Sequence, residues 1–214
     1  MQRIFMFAMA IAFVALWAMP AQAQEDKVRF GLHGGVTVSS LSGKDVDSDT
    51  RTGFFGGLYF NFLFSPNWTI GIEGNWLSGI GAKNVTNSDP TGIPVDIPVD
   101  LKMSYVEFPL TFNYVFPLGE SEKTWLRLQS GITPMLNLTC KVSLAGSSSE
   151  VDCDDEESVM WAVPFGAAFG FKLSDAAVAW LGARYQLGLS NAFKELDAKH
   201  QTWELLAGVG FPIG

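Results

Sequence analysis

The sequence predicts an all-β protein: an eight-stranded antiparallel up-and-down transmembrane β-barrel with short periplasmic turns and longer extracellular loops. Three observations predict this fold. Apolar and polar residues alternate along eight segments, the connections between them are alternately long and short, and a secretion signal opens the chain. Because successive side chains of a strand point to opposite faces, the alternation indicates strands with one apolar and one polar face. A helix, whose period is 3.6 residues, would mix the two sets.

Residues 1–23 are predicted to be a secretory signal peptide. A short basic start is followed by an apolar run from Ile4 to Trp17 and by Ala21-Gln22-Ala23, a small-residue cleavage pattern. A membrane anchor is the alternative, but the run is shorter than the ~20 apolar residues of a spanning helix. We therefore expect cleavage after Ala23 and one β-barrel domain over residues 24–214, because no interdomain linker interrupts that range.

The composition favours a β-rich protein and argues against a nucleic-acid partner. The formal net charge is −8, and the sequence offers no basic amphipathic helix for binding a membrane surface. Glycine (22 residues) and aromatic residues (13%) are plentiful, whereas charged residues make up 17%. This mixture suits strands that approach one another closely and carry large outward rings, and it suits a helical domain poorly.

The first four predicted strands cover residues 27–41, 52–64, 68–80 and 103–116. Each carries apolar side chains on one face and mainly polar residues, Gly or Tyr on the other. The apolar set is Val28, Phe30, Leu32, Val36, Val38, Phe54, Leu58, Phe60, Phe62, Phe64, Trp68, Ile70, Ile72, Trp76, Val106, Phe108, Leu110, Phe112, Tyr114 and Phe116. The fourth strand contains Pro109, which cannot donate to a ladder, so we expect a local bulge or kink there.

The last four predicted strands cover residues 124–138, 159–173, 178–189 and 200–213. Their apolar set is Leu126, Leu128, Ile132, Leu136, Leu138, Trp161, Val163, Phe165, Phe169, Phe171, Leu181, Tyr185, Leu187, Leu189, Trp203, Leu205, Val209, Phe211 and Ile213. Short turns are predicted at residues 65–67, 117–122 and 174–175, and long connections at residues 42–51, 81–101, 139–158 and 190–199. Short turns on one side and long loops on the other are typical of outer-membrane barrels.

The alternative fold is a soluble periplasmic ligand-binding barrel, whose apolar face would point inward. The polar face argues against it, since that face is sparsely charged and rich in Gly, Ser, Thr, Asn and Ala, as suits a crowded interior. Six charged residues lie on it: Arg29, Glu73, Glu107, Arg127, Arg184 and Glu204. Inside a narrow barrel these residues could form ion pairs, as buried charges require. We expect Glu107 to pair with Arg127 on the neighbouring strand.

Three segments resemble a known family. They are Gly31-Leu32-His33-Gly34-Gly35 with Ser39, Leu41 and Gly43; Gly53-Phe54-Phe55-Gly56-Gly57-Leu58; and Tyr105-Val106-Glu107-Phe108-Pro109-Leu110. The chain resembles the bacterial outer-membrane β-barrel domain family, also called the porin family or PorT-like small outer-membrane proteins. The resemblance implies insertion into the outer membrane of a Gram-negative bacterium by the barrel-assembly machinery. Members commonly end on an aromatic residue that aids this recognition, whereas here the last aromatic residue is Phe211.

The third long connection contains Cys140 and Cys153, the two cysteines of the chain. In an exported protein such a pair is expected to form a disulfide, and metal ligation would want further Cys or His ligands. The neighbouring run of acidic residues indicates a solvated loop tip, with cation binding between lipopolysaccharide phosphates as the alternative. This run comprises Asp152, Asp154, Asp155, Glu156 and Glu157.

The function predicted is non-enzymatic: a structural or loop-mediated interaction role for a barrel with a side-chain-filled interior. One alternative is a narrow porin-like solute channel. The other is lipid A chemistry at His200, Thr202 and Glu204, which lie two residues apart on the same face of the last strand. An eight-stranded barrel is only wide enough for its own side chains, which disfavours the channel. We expect a monomer without cofactor or metal. Its partners would be outer-membrane lipid, lipopolysaccharide and an unidentified extracellular ligand at the loops.

Overall fold

The computed structural model describes residues 28–43, 46–88, 94–119, 123–144, 149–153, 157–193 and 198–213, and the predicted signal peptide lies outside these ranges. Among them are ten strands: β1 (Val28–Gly43), β2 (Val46–Ser65), β3 (Trp68–Ser88), β4 (Pro94–Glu107), β5 (Leu110–Leu118), β6 (Thr124–Leu144), β7 (Val151–Asp152), β8 (Val159–Ser174), β9 (Ala177–Asn191) and β10 (Ala198–Ile213). Within the described ranges, no helix is long and apolar enough to cross a membrane.

The strands close into an eight-membered antiparallel ring, which confirms the predicted fold. β1 pairs with β10 along its whole length, from Val28 opposite Ile213 to Gly43 opposite Ala198. β4 and β5 together make the fourth barrel strand, because both pair with β3 and with β6. β7 is a two-residue strand that pairs with β6. The ring order is therefore β1, β2, β3, β4/β5, β6, β8, β9 and β10.

The long connections are shorter than predicted, because the strands continue into them. β2 begins at Val46, β3 runs to Ser88, β4 begins at Pro94 and β6 runs to Leu144. The exposed faces of these extensions carry Lys83, Lys102 and Lys141, so the apolar outer face that marks the membrane-spanning part of a strand ends before them. Two of the three predicted short turns are present, at Pro66–Asn67 and Asp175–Ala176, and the third, at residues 117–122, lies partly outside the described ranges.

None of the apolar side chains predicted to face lipid is buried, and aromatic rings mark the two edges of the outer face. Near the short turns, Trp68 lies 4.7 Å from Phe112 and 4.5 Å from Tyr114 between ring centroids. Toward the other edge, Tyr185 lies 4.9 Å from Trp203, and Trp76 contacts Phe54. Trp68 and Trp76 are eight residues apart, so they define a band roughly 20 Å tall along a tilted strand, comparable to an outer-membrane apolar girdle.

Ile72 lies midway between these two aromatic edges, and its outward side chain is 36% exposed. We expect Ile72→Arg to lower the free energy of unfolding in lipid vesicles by about 2–4 kcal/mol, since a charge would meet the bilayer midplane. The matched control is Leu173→Arg beside a short turn, where the exposed side chain (58%) lies near the interface and the expected cost is about 0–1 kcal/mol. Urea titrations followed by tryptophan fluorescence measure both, and equal losses would contradict the assigned membrane position.

The fourth barrel strand is interrupted at Phe108 and Pro109, but the predicted bulge is not formed. The register is the same on both sides: Glu107 lies opposite Met135 and Leu110 opposite Ile132. The Phe108 amide donates to the Pro134 carbonyl at 3.0 Å, and the Pro109 carbonyl accepts from the Glu73 amide at 2.9 Å. Pro109 therefore removes its own donor from the ladder without inserting a residue.

Candidate functional site

A charged cluster fills the middle of the barrel, and it contains four of the six charged residues predicted to line the interior. Glu73 on β3, Glu107 on β4, Arg184 on β9 and Glu204 on β10 are all less than a tenth exposed. Period-two alternation puts each of them on the inner face of its strand, opposite the lipid-facing set. Because β3 and β4 lie across the eight-membered ring from β9 and β10, the cluster joins opposite walls of the barrel.

Arg184 bridges three carboxylates. Its Nε donates to Glu204 Oε2 at 2.6 Å, its Nη1 to Glu73 Oε2 at 2.6 Å, and its Nη2 to Glu107 Oε1 at 3.2 Å. A guanidinium suits this role because its donors have a fixed planar geometry and its charge is permanent. Charge-assisted bonds of this kind are about twice as strong as neutral ones.

Two amide side chains that were not predicted as site residues, Asn75 and Gln186, complete the cluster. Gln186 Nε2 donates to Glu107 Oε2 and to Glu204 Oε1, both at 2.7 Å. Asn75 Nδ2 donates to Glu107 Oε1 at 2.9 Å and to Glu73 Oε2 at 3.1 Å. The signal available was their position, since each lies two residues from a charged member on the same face of its strand.

His33 extends the cluster toward β1. Its Nε2 lies 2.6 Å from Asn75 Oδ1 and 3.8 Å from Glu73 Oε2. Because the Asn75 amide nitrogen gives both its hydrogens to carboxylates, the Asn75 oxygen accepts from His33, which places a proton on His33 Nε2. The cluster therefore holds the carboxylates in position and also keeps a proton on Nε2 of His33.

The predicted pair between Glu107 and Arg127 is wrong, because Glu107 binds Arg184 instead. Arg127 is buried closer to the short-turn end, with its guanidinium carbon 4.6 Å from the ring centroid of Trp180 and 5.8 Å from that of Trp125. Within the part of the chain that the structure describes, neither Arg127 nor Arg29 forms an ion pair. Arg29 is half-buried beside the same end of the barrel.

Apolar residues fill the interior above the charged cluster, toward the long hairpins. This layer was not predicted, although its residues lie within the predicted strands 68–80, 103–116, 124–138 and 159–173. Leu77, Met103 and Tyr105 alternate with the lipid-facing set, whereas Ile80 follows the register shift beside Gly79 and could not be assigned to the interior by alternation. Its fully buried members include Leu77, Ile80, Met103, Tyr105, Met135 and Met160.

His200 and Thr202, considered above for lipid A chemistry, are in contact. Thr202 Oγ1 lies 3.0 Å from His200 Nδ1, and both side chains are buried. Glu204, the third member of that hypothesis, binds Arg184 and Gln186 through its two carboxylate oxygens. A nucleophilic triad needs its acid to orient the histidine, and here the acid is committed to the charged cluster.

The third long hairpin is fastened by the disulfide between Cys140 and Cys153, whose Cα atoms are 5.3 Å apart. On its exposed face, Lys141 and Lys102 lie 3.2 Å and 3.7 Å from Glu150, and the Lys141 hydrogen bond and the Lys102 charge lower the pKa of the Glu150 carboxyl. Asp152 and Glu157 are exposed or half-buried, while residues 154–156 lie outside the described ranges. The described residues contain no group of three or more His, Cys, Asp or Glu that could hold a metal ion.

An eight-stranded ring with an apolar outer face, aromatic edges and a charged interior defines an integral β-barrel protein of the outer membrane. The chain belongs to the outer membrane protein beta-barrel domain family, whose model matches residues 21–194, which confirms the family resemblance. No curated protein sequence matched the chain.

Three solved structures are similar to this chain. Neisserial surface protein A is 14% identical, with 86% of this chain and 97% of that chain covered and a TM-score of 0.52. OprG from Pseudomonas aeruginosa is 14% identical, with 88% and 97% covered and a TM-score of 0.48. Ail, the attachment invasion locus protein of Yersinia pestis, is 19% identical, with 86% and 99% covered and a TM-score of 0.41. At 14% identity, the similarity to Neisserial surface protein A concerns the fold alone.

Proposed function

We propose that this protein is a non-enzymatic, non-conducting outer-membrane barrel that holds its extracellular hairpins in place for interaction with a partner. The observation that carries the proposal is Arg184, whose guanidinium bridges carboxylates of β3, β4 and β10 across the barrel axis. Side chains that bond from opposite walls leave little room for a water-filled path in a barrel of this size. The interior would then serve as a structural plug.

The apolar layer supports a closed barrel independently. It lies above the charged cluster and includes Leu77, Ile80 and Met103, each at most 1% exposed. A hydrated solute leaving the charged cluster would next have to displace close-packed apolar side chains. The charged cluster and the apolar layer both obstruct the barrel interior, which favours a structural role over the porin-like alternative.

The uneven height of the barrel wall supports a role for the hairpins. β2, β3 and β6 have 20 to 21 residues, whereas β1, β8, β9 and β10 have 15 or 16. A transmembrane strand needs only about 9–11 residues, so one side of the barrel would extend well beyond the membrane. The disulfide ties β6 to the segment that follows, and such a projecting, fastened wall is suited to presenting a binding surface.

The absence of an orienting acid supports a non-enzymatic role. A serine- or threonine-type nucleophile needs a histidine held by a carboxylate and access to substrate. The contact between Thr202 and His200 is buried in the barrel, and Glu204 binds Arg184 and Gln186. Lipid A would have no route to this hydroxyl that leaves the barrel intact.

The proposal is tested with purified protein in planar bilayers and with a hairpin-trimmed variant on cells. We expect no conductance steps above background, with a wide porin as the positive control for insertion. In the variant, residues 83–100 are replaced by Asn-Gly, a turn that suits the already paired Ala82 and Leu101. We expect it to fold, as judged by heat-modifiable gel mobility, but to lose the extracellular partners captured by the intact protein from native membranes.

Reproducible conductance steps from the intact chain would contradict the plug. Identical capture by the intact and trimmed proteins would contradict a binding role for the hairpin that joins β3 to β4. The conductance and capture measurements are independent. A contradicted plug therefore leaves the role of the hairpins untouched, and identical capture leaves the plug untouched.

A further inference from the structure

From a cleft at the short-turn end of the barrel, we infer that the protein binds a small oxyanion, a carboxylate or phosphate group, from the periplasmic side. The cleft has a volume of about 120 Å³ and lies below the charged cluster. Its polar and aromatic lining includes Arg29, Tyr59, Thr69, Trp125, Arg127 and Trp180. This site is separate from the hairpins and does not depend on the function proposed above.

The charged side chains that line the cleft are all positive among the described residues. Two guanidinium groups, those of Arg29 and Arg127, line it, and no carboxylate is found among its described lining residues. Glu73 of the charged cluster attracts Arg127 through its charge, but its carboxylate binds Arg184 and Asn75 and makes no direct contact with Arg127 among the described residues. A cavity with two cations and low-dielectric walls attracts an anion strongly.

Arg127 is the central donor of the site. It is 6% exposed, yet no hydrogen bond or ion pair joins its guanidinium to any other described residue, and its buried Nε has no partner. Burying a charge without a partner is costly, so an arginine held in this way is expected to have its partner supplied by a ligand. The neighbouring Trp125 Nε1 is also buried without a partner, which adds a second open donor beside the cleft.

The aromatic walls hold these donors in place before a ligand arrives. The Arg127 guanidinium carbon lies 4.6 Å from the Trp180 ring centroid, a distance typical of a cation–π contact. Trp180 is itself fixed, because its Nε1 donates to the Tyr59 hydroxyl at 2.9 Å. Preorganised donors lose little conformational freedom on binding, which favours a specific site over diffuse attraction.

The size of the cleft and its two guanidinium groups favour a small oxyanion as the ligand. A cleft of about 120 Å³ has room for a group the size of a carboxylate or phosphate. A planar guanidinium binds such oxyanions through two parallel hydrogen bonds. Since the cleft is next to the Pro66 turn, the ligand would come from the periplasm, either as a free anion or as an anionic group of a larger molecule.

The test titrates the purified full-length barrel, in a non-ionic detergent and phosphate-free buffer, with inorganic phosphate and separately with acetate. We expect saturable binding by calorimetry, with tryptophan fluorescence changing in parallel because Trp125 and Trp180 line the site. Arg127→Gln should weaken binding by about tenfold or more, as expected for loss of a charge-assisted hydrogen bond. Arg29→Gln should weaken it as well, and it provides a second variant should Arg127→Gln fail to fold.

Arg51→Gln is the matched control. It also removes one arginine charge, but Arg51 lies near the start of β2, at the end of the strand far from the cleft beside Pro66. Equal weakening by Arg51→Gln and Arg127→Gln, or no saturable binding of either anion, would overturn the inference. A short peptide with a free carboxyl terminus and its amidated form then distinguish a chain terminus from a free anion: competition by the free form alone supports a carboxylate ligand. Tighter binding of phosphate than of either carboxylate supports a phosphate ligand.

A final arm addresses the chain's own acidic residues. Glu25 and Asp26 precede Arg29 in the sequence by four and three positions, so the titration is repeated with Glu25→Gln and Asp26→Asn combined. Binding that is present in the unaltered chain supports an external ligand. Binding that appears only in this double variant would mean that the chain supplies the anion itself and would overturn the inference.

Discussion

Replacing Arg184 with methionine is expected to lower the free energy of unfolding by about 3–5 kcal/mol or to prevent barrel folding, because removal of one partner leaves buried charges uncompensated. Arg184 is the one cation in direct contact with Glu73, Glu107 and Glu204 among the described residues. Without it, three carboxylates would converge inside a narrow barrel. Their mutual repulsion adds to the cost of removing them from water.

The amides of the cluster cannot replace Arg184. Gln186 and Asn75 together donate four hydrogen bonds to the carboxylates, but they bring no charge. The hydrogen-bonding demand of the carboxylates would therefore be met in part while the electrostatic demand would not. This separates the predicted effect from simple loss of hydrogen bonds, which costs about 0.5–1.5 kcal/mol each.

Urea unfolding in detergent or lipid, followed by gel mobility and fluorescence, measures the effect. The matched variant combines Arg184→Met with Glu73→Gln, Glu107→Gln and Glu204→Gln, which removes all four charges while keeping similar shapes. We expect this neutral cluster to recover most of the lost stability, since replacing a whole buried ionic group by neutral groups is often tolerated. Arg51→Met, outside the cluster, controls for loss of an arginine. A loss below about 1 kcal/mol for Arg184→Met would contradict the bridging role.

The strand count and the two faces of each strand follow from local chemistry, which is why they could be predicted. Phe112 and Glu107 belong to opposite faces whatever the rest of the chain does, since alternation is a property of a single strand. The resulting faces are as expected, with Phe112 exposed and Glu107 fully buried. The interior positions of Glu73, Arg184 and Glu204 rest on the same argument.

The partner of Glu107 could not be predicted in this way, because it depends on register and on contacts across the barrel. Arg127 does lie on the neighbouring strand, but Glu107 pairs in register with Met135. Arg127 comes eight positions before Met135, which is about 26 Å along a strand. Arg184 is far in sequence and three strands away in the ring, yet its side chain reaches the same level. Only the three-dimensional stagger of the strands brings the two together.

The extension of β3 past residue 80 was hidden by a change in local geometry. The register between β3 and β4 shifts between Ser78 and Ile80, where Gly79 has a φ of 73°. A bulge of this kind reverses which residues face inward, so a period-two pattern read from Trp68 breaks there. Ile80 and Ala82, both fully buried, continue the inner face beyond the break.

Gly81 lies just beyond this bulge, and replacing it with alanine is expected to cost about 3 kcal/mol or more of unfolding free energy. Gly81 has a φ of 136°, a conformation whose strain in other residues costs about 1–3 kcal/mol. An added Cβ would also lie 2.2 Å from the Leu101 carbonyl oxygen on β4, so the two strands would have to separate. The backbone atom cannot rotate away as a side chain could.

A second set of contacts at Gly81 would be lost with that movement. The Ser39 hydroxyl of β1 donates to the Gly81 carbonyl at 2.8 Å and accepts from the Gly81 amide at 3.0 Å. Ser39 is fully buried, so displaced backbone groups would be left without partners at about 1–3 kcal/mol. The same contacts join β1 to β3 across β2, and so they hold the extended part of β3 against β1.

Two other glycines separate these contributions. Gly119 has a φ of 80° but no described atom within 4 Å of an added Cβ, so Gly119→Ala should show only the conformational cost, about 1–2 kcal/mol. Gly74→Ala should be nearly neutral, since Gly74 has neither a positive φ nor a described atom within that distance. Urea unfolding ranks the three, and amide hydrogen exchange should show lost protection in β3 and β4 only for Gly81→Ala. Equal losses at Gly81 and Gly119 would mean that the approach of Leu101 and the Ser39 contacts contribute nothing to barrel stability.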